Sequence, residues 1–164
     1  MVESMKLGSQ VGEVAVLSEE DLNSRVGYQL PGGEYLLEPY KNWLTNDAVG
    51  APNDENDFAH PMFCYYAALN TMGVSLEELF AIFGATSDDG VMFGEAEIDI
   101  KKPLIPGSTY AVSGQVTGVE RKNSKKLGVF DLVDFELNLH DGNELIGVSR
   151  NSFIFPRELN DDDQ

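Results

Sequence analysis

His60-Pro61-Met62-Phe63-Cys64-Tyr65-Tyr66-Ala67-Ala68-Leu69-Asn70-Thr71-Met72 is the stretch on which the fold turns. From Met62 to Met72 it has no charged side chain, and a helix of that composition has no face suited to water. Pro61 fits the first helical position, where its missing N–H costs nothing, and Gly73 marks the stop. The stretch therefore predicts a long central helix over 62–72, buried nearly all round. Downstream, Ser75-Leu76-Glu77-Glu78-Leu79-Phe80 opens another helix with a capping serine and acids in its first turn. Upstream lies Gly50-Ala51-Pro52-Asn53-Asp54-Glu55-Asn56, a loop, and before it a short helix from Pro39 to about Val49 with Tyr40, Trp43 and Leu44 on one face. Ser18, followed three residues later by Asp21, signals a first short helix. Gly27 and Pro31-Gly32-Gly33 read as a turn-rich connector.

Beyond the loop from Gly84 to Gly90 the pattern becomes that of strands. Over 93–102, Ala96, Ile98 and Ile100 face one way and Glu95, Glu97 and Asp99 the other. Pro103-Leu104-Ile105-Pro106-Gly107 is a turn, and a strand follows from Thr109 to Val119. Val129, Val133, Phe135, Leu137 and Leu139 share the inner face of the next, and Asp141-Gly142 closes a hairpin into Leu145 to Phe155. Helices first and antiparallel strands after give an α+β class. The strands need help to bury the central helix, so a further strand near Val11 to Leu17 is expected to join the sheet.

The chain has 164 residues, enough for one core and too few for two. We expect an N-terminal segment over 1–16 (partly disordered or an edge strand), a single domain over 17–157, and an acidic flexible tail over 158–164. Eleven basic residues against 28 acidic ones give a net charge of −17. That sign repels phosphate backbones and anionic lipids, which argues against nucleic acid or membrane as partner. Met1 to Gln10 lacks the basic and apolar regions of a signal peptide. The one cysteine, Cys64, cannot form an internal disulfide, so a reducing cytoplasmic setting is expected, with Cys64 packed in the core rather than acting as a nucleophile.

These segments, in this order, resemble the MaoC-like hydratases and dehydratases of the hot-dog superfamily, and above all the "N-terminal half" MaoC type. Ala59-His60-Pro61-Met62-Phe63 resembles the family's A-P-P-x-F helix start, and Lys102-Pro103-Leu104-Ile105-Pro106-Gly107-Ser108 its "rPl.pGD" turn, with Ser108 in place of Asp. Glu120-Arg121-Lys122 leads to Gly128 and a long strand, and Asp141-Gly142-Asn143-Glu144-Leu145-Ile146 resembles the "n..Gelv" hairpin. The resemblance covers residues 17 to 157. It implies a hot-dog fold, a curved antiparallel sheet wrapped around the central helix. It also implies edge-to-edge dimers and an acyl-CoA or acyl-carrier thioester bound near the dimer interface. No cofactor is implied beyond the coenzyme A or carrier arm of the substrate, and no metal ligand set is found.

In that family a Gly-Asp-x-Asn-Pro-x-His loop adds or removes water at an enoyl thioester. Here Gly50 and Asn53 match, while Ala51 stands where the Asp belongs and Asn56 where the His belongs. The chemistry needs two groups that exchange a proton with one water, and neither alanine nor asparagine does so near neutral pH. His60 with Asp47, Asp54 or Asp57 offers a displaced dyad; the alternative is that His60 caps the helix and the acids form a solvated loop. The family's polarising amides at the helix start fall on Met62 and Phe63, with Phe58 and Tyr66 as apolar neighbours. Arg121, Lys122, Lys125 and Lys126 form a cationic cluster that either holds the phosphates of coenzyme A or is a soluble turn. His140 reads as surface decoration.

Three functions follow from the resemblance. The first is a noncatalytic, pocket-forming subunit of an enoyl-CoA hydratase or 3-hydroxyacyl-thioester dehydratase, working with a second hot-dog chain. The second is a stand-alone acyl-thioester-binding or regulatory protein, and the third a hot-dog thioesterase, for which only Asp57 remains as the acid.

Overall fold

The structure, a computed structural model, describes residues 16–52 and 55–157. Five strands form one antiparallel sheet in the order β1-β3-β4-β5-β2. They are β1 (Gln29–Leu36), β2 (Met92–Ile100), β3 (Thr109–Ser124), β4 (Gly128–Asp141) and β5 (Glu144–Pro156). The helices are α1 (Glu19–Asn23), α2 (Pro39–Val49), α3 (Phe63–Asn70) and α4 (Leu76–Ile82), with a single 3-10 turn at Ser87–Asp89. Helix α3 packs against β4, β5 and β2, so the α+β hot-dog architecture expected from the sequence is present.

The inner face of the sheet is set by alternation. Val133, Phe135, Leu137 and Leu139 on β4 are buried while their even-numbered neighbours are half-exposed, the period of two that a half-covered sheet imposes. Phe135, Phe153 and Phe155 meet Phe80 and Phe83 of the α4 region, with ring centroids 5.5 to 5.7 Å apart for the pairs that join them. Such rings contribute mainly through the area they remove from water.

Four expectations change. Helix α3 spans only eight residues, because Thr71 leaves helical geometry with φ −126° and Met72 turns back into the core. Its burial is also one-sided: Phe63, Cys64, Ala67 and Ala68 are enclosed, while Tyr66 is exposed and packs on Phe63 and Tyr65. Pro31-Gly32-Gly33 is not a connector but the irregular middle of β1. β1 lies at the sheet edge, where proline removes no ladder bond that a neighbour needs. Gly32, at φ +68°, passes so close to β3 that a Cβ would meet the Val112 carbonyl oxygen. Finally, β3 runs past Val119 to Ser124, so Arg121 and Lys122 are strand residues and only Lys125 and Lys126 sit in the turn.

The expected strand near Val11 to Leu17 lies outside the described residues up to position 15, and Val16 and Leu17 are not in a strand. The place beside β3 belongs to β1. The acidic tail over 158–164 and the N-terminal segment before residue 16 also fall outside the described residues, as do Asn53 and Asp54.

Candidate functional site

The loop after α2 is held at both ends. Gly50 adopts the left-handed conformation (φ 64°) that ends α2, a geometry glycine takes without strain. The Ala51 N–H then donates to the Asn46 carbonyl at 2.9 Å. At the far end the Ala59 N–H donates to the Leu104 carbonyl at 2.8 Å, and the His60 N–H donates to Asn42 Oδ1 at 2.8 Å. The Pro103–Gly107 turn is fixed in its own right, since the Ile105 N–H donates to the Tyr110 hydroxyl at 2.7 Å. Loop, turn and α2 therefore form one framework.

That framework encloses two adjoining cavities. The inner one, about 400 Å³, is lined by Asn46, Ala51, Pro52, Phe58, Ala59, His60, Pro61, Ile100, Pro103 and Leu104. The outer one, about 490 Å³, is lined by Pro39, Asn42, Trp43, Asn46, Asp57, Phe58, Ile105 and Pro106. Asn46 and Phe58 belong to both. Each volume lies in the range of small-molecule sites.

The structure thus brings Ala51 and His60 into one cavity and puts Asp57 in the neighbouring one. Asn56 is exposed and lines neither, and Asp47 is exposed at the end of α2. Asp54 is outside the described residues. His60 accepts the Met62 N–H on Nδ1 at 3.2 Å, so the remaining proton of the neutral ring sits on Nε2. The His60 ring thus lies against the start of α3, held by the Met62 amide. The His60 carbonyl also accepts the Phe63 N–H at 2.9 Å, so both amides at the start of α3 are engaged within the chain. Phe58 lines both cavities, whereas Phe63 is buried in the core and Tyr66 stands on the exposed side of α3.

The cationic cluster does not act as a unit. Arg121 donates to Asp131 through Nε at 2.7 Å and Nη2 at 3.0 Å, and to the Leu17 carbonyl at 2.8 Å. Asp131 is fully buried and also receives Arg157 Nε at 2.7 Å. Arg121 is therefore a structural group of this ion network. Lys122 pairs with Glu120 at 2.9 Å, and Lys125 and Lys126 are exposed turn residues. Cys64 is enclosed, and burial, with Asp99 as a lesser cause, pushes its thiol up to about 11, far from the range of a nucleophilic cysteine. His140 is half-exposed near the end of β4, at the β4–β5 hairpin. Among the described residues no group of His, Cys, Asp or Glu is arranged to hold a metal.

One site residue has no counterpart among the sequence expectations. Asn46 is 5% exposed, although asparagine in a surface helix ordinarily faces water. Helix α2 is inverted: Asn42 and Asn46, one turn apart, line the outer cavity beside Trp43, while Tyr40, Leu44 and Val49 are 49 to 61% exposed. The only sequence signal was that i, i+4 asparagine pair, and amphipathic reasoning assigns it to solvent.

No protein-family model and no curated protein matches the sequence. Solved structures do match. In the ChsH1-ChsH2 complex of Mycobacterium tuberculosis a chain superposes with a TM-score of 0.63 at 14% identity, covering 87% of this chain and 91% of that one. The HadBC (3R-hydroxyacyl-ACP dehydratase) complex of the same organism gives 0.62 at 13%, covering 79% and 96%. The MaoC-like dehydratase from Rhodospirillum rubrum gives 0.58 at 16%, covering 87% and 99%. With the sheet order, the helix laid across the sheet and the loop ahead of it, these likenesses establish that the chain has the hot-dog fold of the MaoC-like dehydratases.

Proposed function

We propose that this chain is a pocket-forming, noncatalytic subunit of a MaoC-like enoyl-thioester hydratase or dehydratase, paired with a second hot-dog chain that carries the proton-transferring residues. The observation that carries this reading is the inner cavity. It has the size and apolar walls of an acyl site, yet its loop contributes Ala51, and His60 is its only titratable side chain among the described residues. Reversible hydration needs an acid and a base that exchange roles. A single imidazole engaged through Nδ1 with the Met62 amide supplies half of that requirement.

The exposed side of α2 supports a protein partner, because Tyr40, Trp43 and Leu44 lie within about a third of the helix circumference and are about half exposed, an apolar surface that a partner would cover. A net charge of −17 supports a different chain over a second copy, since like charges repel on close approach. Two of the similar structures are complexes of two named chains, ChsH1-ChsH2 and HadBC, which supports the same reading. The substrate would be an acyl group on coenzyme A or a carrier protein.

The test is hydration of crotonyl-CoA by the purified chain, alone and after co-expression with a hot-dog protein that carries an intact Gly-Asp-x-Asn-Pro-x-His loop. Negligible turnover alone and robust turnover of the pair is the expected result. Robust turnover by the chain alone, abolished by His60→Ala, would overturn the reading and establish a displaced dyad.

A further inference from the structure

β1 and β2 are the two edges of the sheet, and they are finished differently. β1 carries Pro31 and an irregular pairing between Leu30 and Gly33, devices that stop a further strand from adding to an edge. β2 has no proline, and from Glu95 to Ile100 it pairs with β5 without a break in register. Among the described residues nothing pairs with its other side, and residues 92–97 are all exposed. Such an edge presents a row of N–H and C=O groups ready to accept a strand.

The two faces beside this edge differ in chemistry. On the inner face Phe93, Ala96, Ile98 and Ile100 lie opposite Phe153, Asn151, Ser149 and Gly147 of β5. Phe93 and Ile100 are exposed, as is Tyr66 of α3, and Tyr65 packs on both Phe93 and Tyr66. Apolar and aromatic surface of this kind, continuous with an open edge, marks a place that another chain covers. On the outer face stand Glu95, Glu97 and Asp99. Asp99 pairs with Lys101 at 3.0 Å, and Glu97 with Arg150 at 3.1 Å, but Arg150 is shared with Glu136. Glu95 has no ion pair among the described residues.

These acids oppose a second copy of the chain. In an antiparallel pairing of β2 with itself, the two-fold axis must pass through a residue, because a slip by one position would turn the apolar face outward. With the axis at Ala96, Glu95 meets Glu97 of the other copy. At Glu97, that residue meets itself and Glu95 meets Asp99; at Ile98, Glu97 meets Asp99; at Glu95, that residue meets itself. Every register that uses most of the strand sets carboxylate against carboxylate, and like charges directly opposite are destabilising.

Resting on the subunit reading above, we propose that β2 is the docking edge for a different chain. The edge strand of that chain places lysine or arginine opposite Glu95, Glu97 and Asp99, and apolar side chains over Phe93, Tyr66 and Ile100. The main-chain hydrogen bonds are open to any strand, so the acids set the choice of partner: they reject the chain's own copy and favour a basic edge.

The experiment uses the full chain in three forms: wild type, a neutral variant (Glu95→Gln, Glu97→Gln, Asp99→Asn) and a reversed variant (Glu95→Lys, Glu97→Lys, Asp99→Lys). None of the three side chains is buried, so the fold should be kept, which circular dichroism checks. Sedimentation velocity follows each form alone and the equimolar mixture of wild type with reversed variant. The neutral variant should self-associate more tightly than wild type. The mixture should pair at least about tenfold more tightly than either of its members with itself, and this preference should shrink as salt rises. Wild type self-associating as tightly as the neutral variant, or no preferential pairing in the mixture, would reduce the acids to a guard on an unused edge and overturn the proposal. Should the reversed variant not fold, the comparison of wild type with the neutral variant decides alone. Crotonyl-CoA hydration by the chain together with a hot-dog protein that carries an intact loop should fall at least about tenfold in the reversed variant. Undiminished turnover there would overturn the docking edge while leaving the subunit reading intact. Preferential pairing in the mixture with no turnover from any hot-dog pair would uphold the edge and overturn the subunit reading.

Discussion

Replacing Asp131 by alanine should be the most damaging single truncation in the sheet. Its carboxylate is fully buried and accepts three N–H bonds, two from Arg121 and one from Arg157. Arg157 is itself buried and also donates to the Gly84 carbonyl at 2.8 Å and to the Phe83 carbonyl. The network thereby joins β3, β4 and the end of β5 to the C-terminus of α4, whose last carbonyls it satisfies. Asp131→Ala leaves two guanidinium groups facing each other with no counter-charge, and removing one partner of a buried pair costs about 3–5 kcal/mol. Against a total stability of about 5–15 kcal/mol, and at about 2–4 °C per kcal/mol for a chain of this size, the melting temperature should fall by roughly 6–20 °C. Arg121→Met should cost less, about 1–2 kcal/mol, because Arg121 is the more exposed partner and Asp131 keeps Arg157. Urea titrations followed by circular dichroism would measure both, and the difference between variants should persist in high salt, since enclosed pairs are little screened. A loss below about 1 kcal/mol for Asp131→Ala, or a larger loss for Arg121→Met than for Arg157→Met, would refute the assignment of the network as structural.

Ala51→Asp puts a carboxylate on the loop of the cavity that holds His60, so any recovered crotonyl-CoA hydration should come from this change. Adding Asn56→His should contribute nothing further, because residue 56 lines neither cavity; a synergistic gain in a spectrophotometric assay would contradict the site geometry. Cys64, with its thiol raised to about 11 by burial, should be about 0.1% thiolate at pH 8 and react with an aromatic disulfide reagent orders of magnitude more slowly than in urea-unfolded chain. Because the folded thiol holds its proton above the ordinary thiol value of 9.0, its contribution to stability should be full below about pH 9 and be lost between about 9 and 11, measurable as a pH-dependent urea midpoint absent in Cys64→Ala. Gly147→Ala should cost about 1–3 kcal/mol, since its Cβ would lie 2.7 Å from Cys64 Sγ. The double variant with Cys64→Ala should recover most of that loss, and a purely additive loss would locate the strain elsewhere.

The strands after residue 91, the capped helices at Ser18 and Ser75 and the hairpin at Gly142 were legible because each rests on local rules: a period of two, a cap satisfied within one turn, a glycine at positive φ. The family resemblance pointed to the loop between α2 and α3, and the structure puts two cavities beside that loop. Sequence spacing could not say which loop residues share a cavity. Ala51 and His60 come together, and Asn56 does not, only because α2 and the Pro103–Gly107 turn clamp the two ends of the loop.

What the sequence determined by itself is the class of fold and the presence of Ala51 and Asn56 in the loop after α2, because hydrophobic period and residue chemistry are carried by each segment alone. Tertiary structure decided three further things. It turned Pro31-Gly32-Gly33 into an edge strand, since the sheet offered β1 a partner in β3 that outweighed its turn propensity. It claimed Arg121 for Asp131, because a buried carboxylate ten residues away along the hairpin must be neutralised where it lies. And it turned α2 over, burying Asn46 at the cavities and leaving Tyr40 and Leu44 exposed. A helix's amphipathic pattern states which residues share a face, but only its neighbours determine which face is inside.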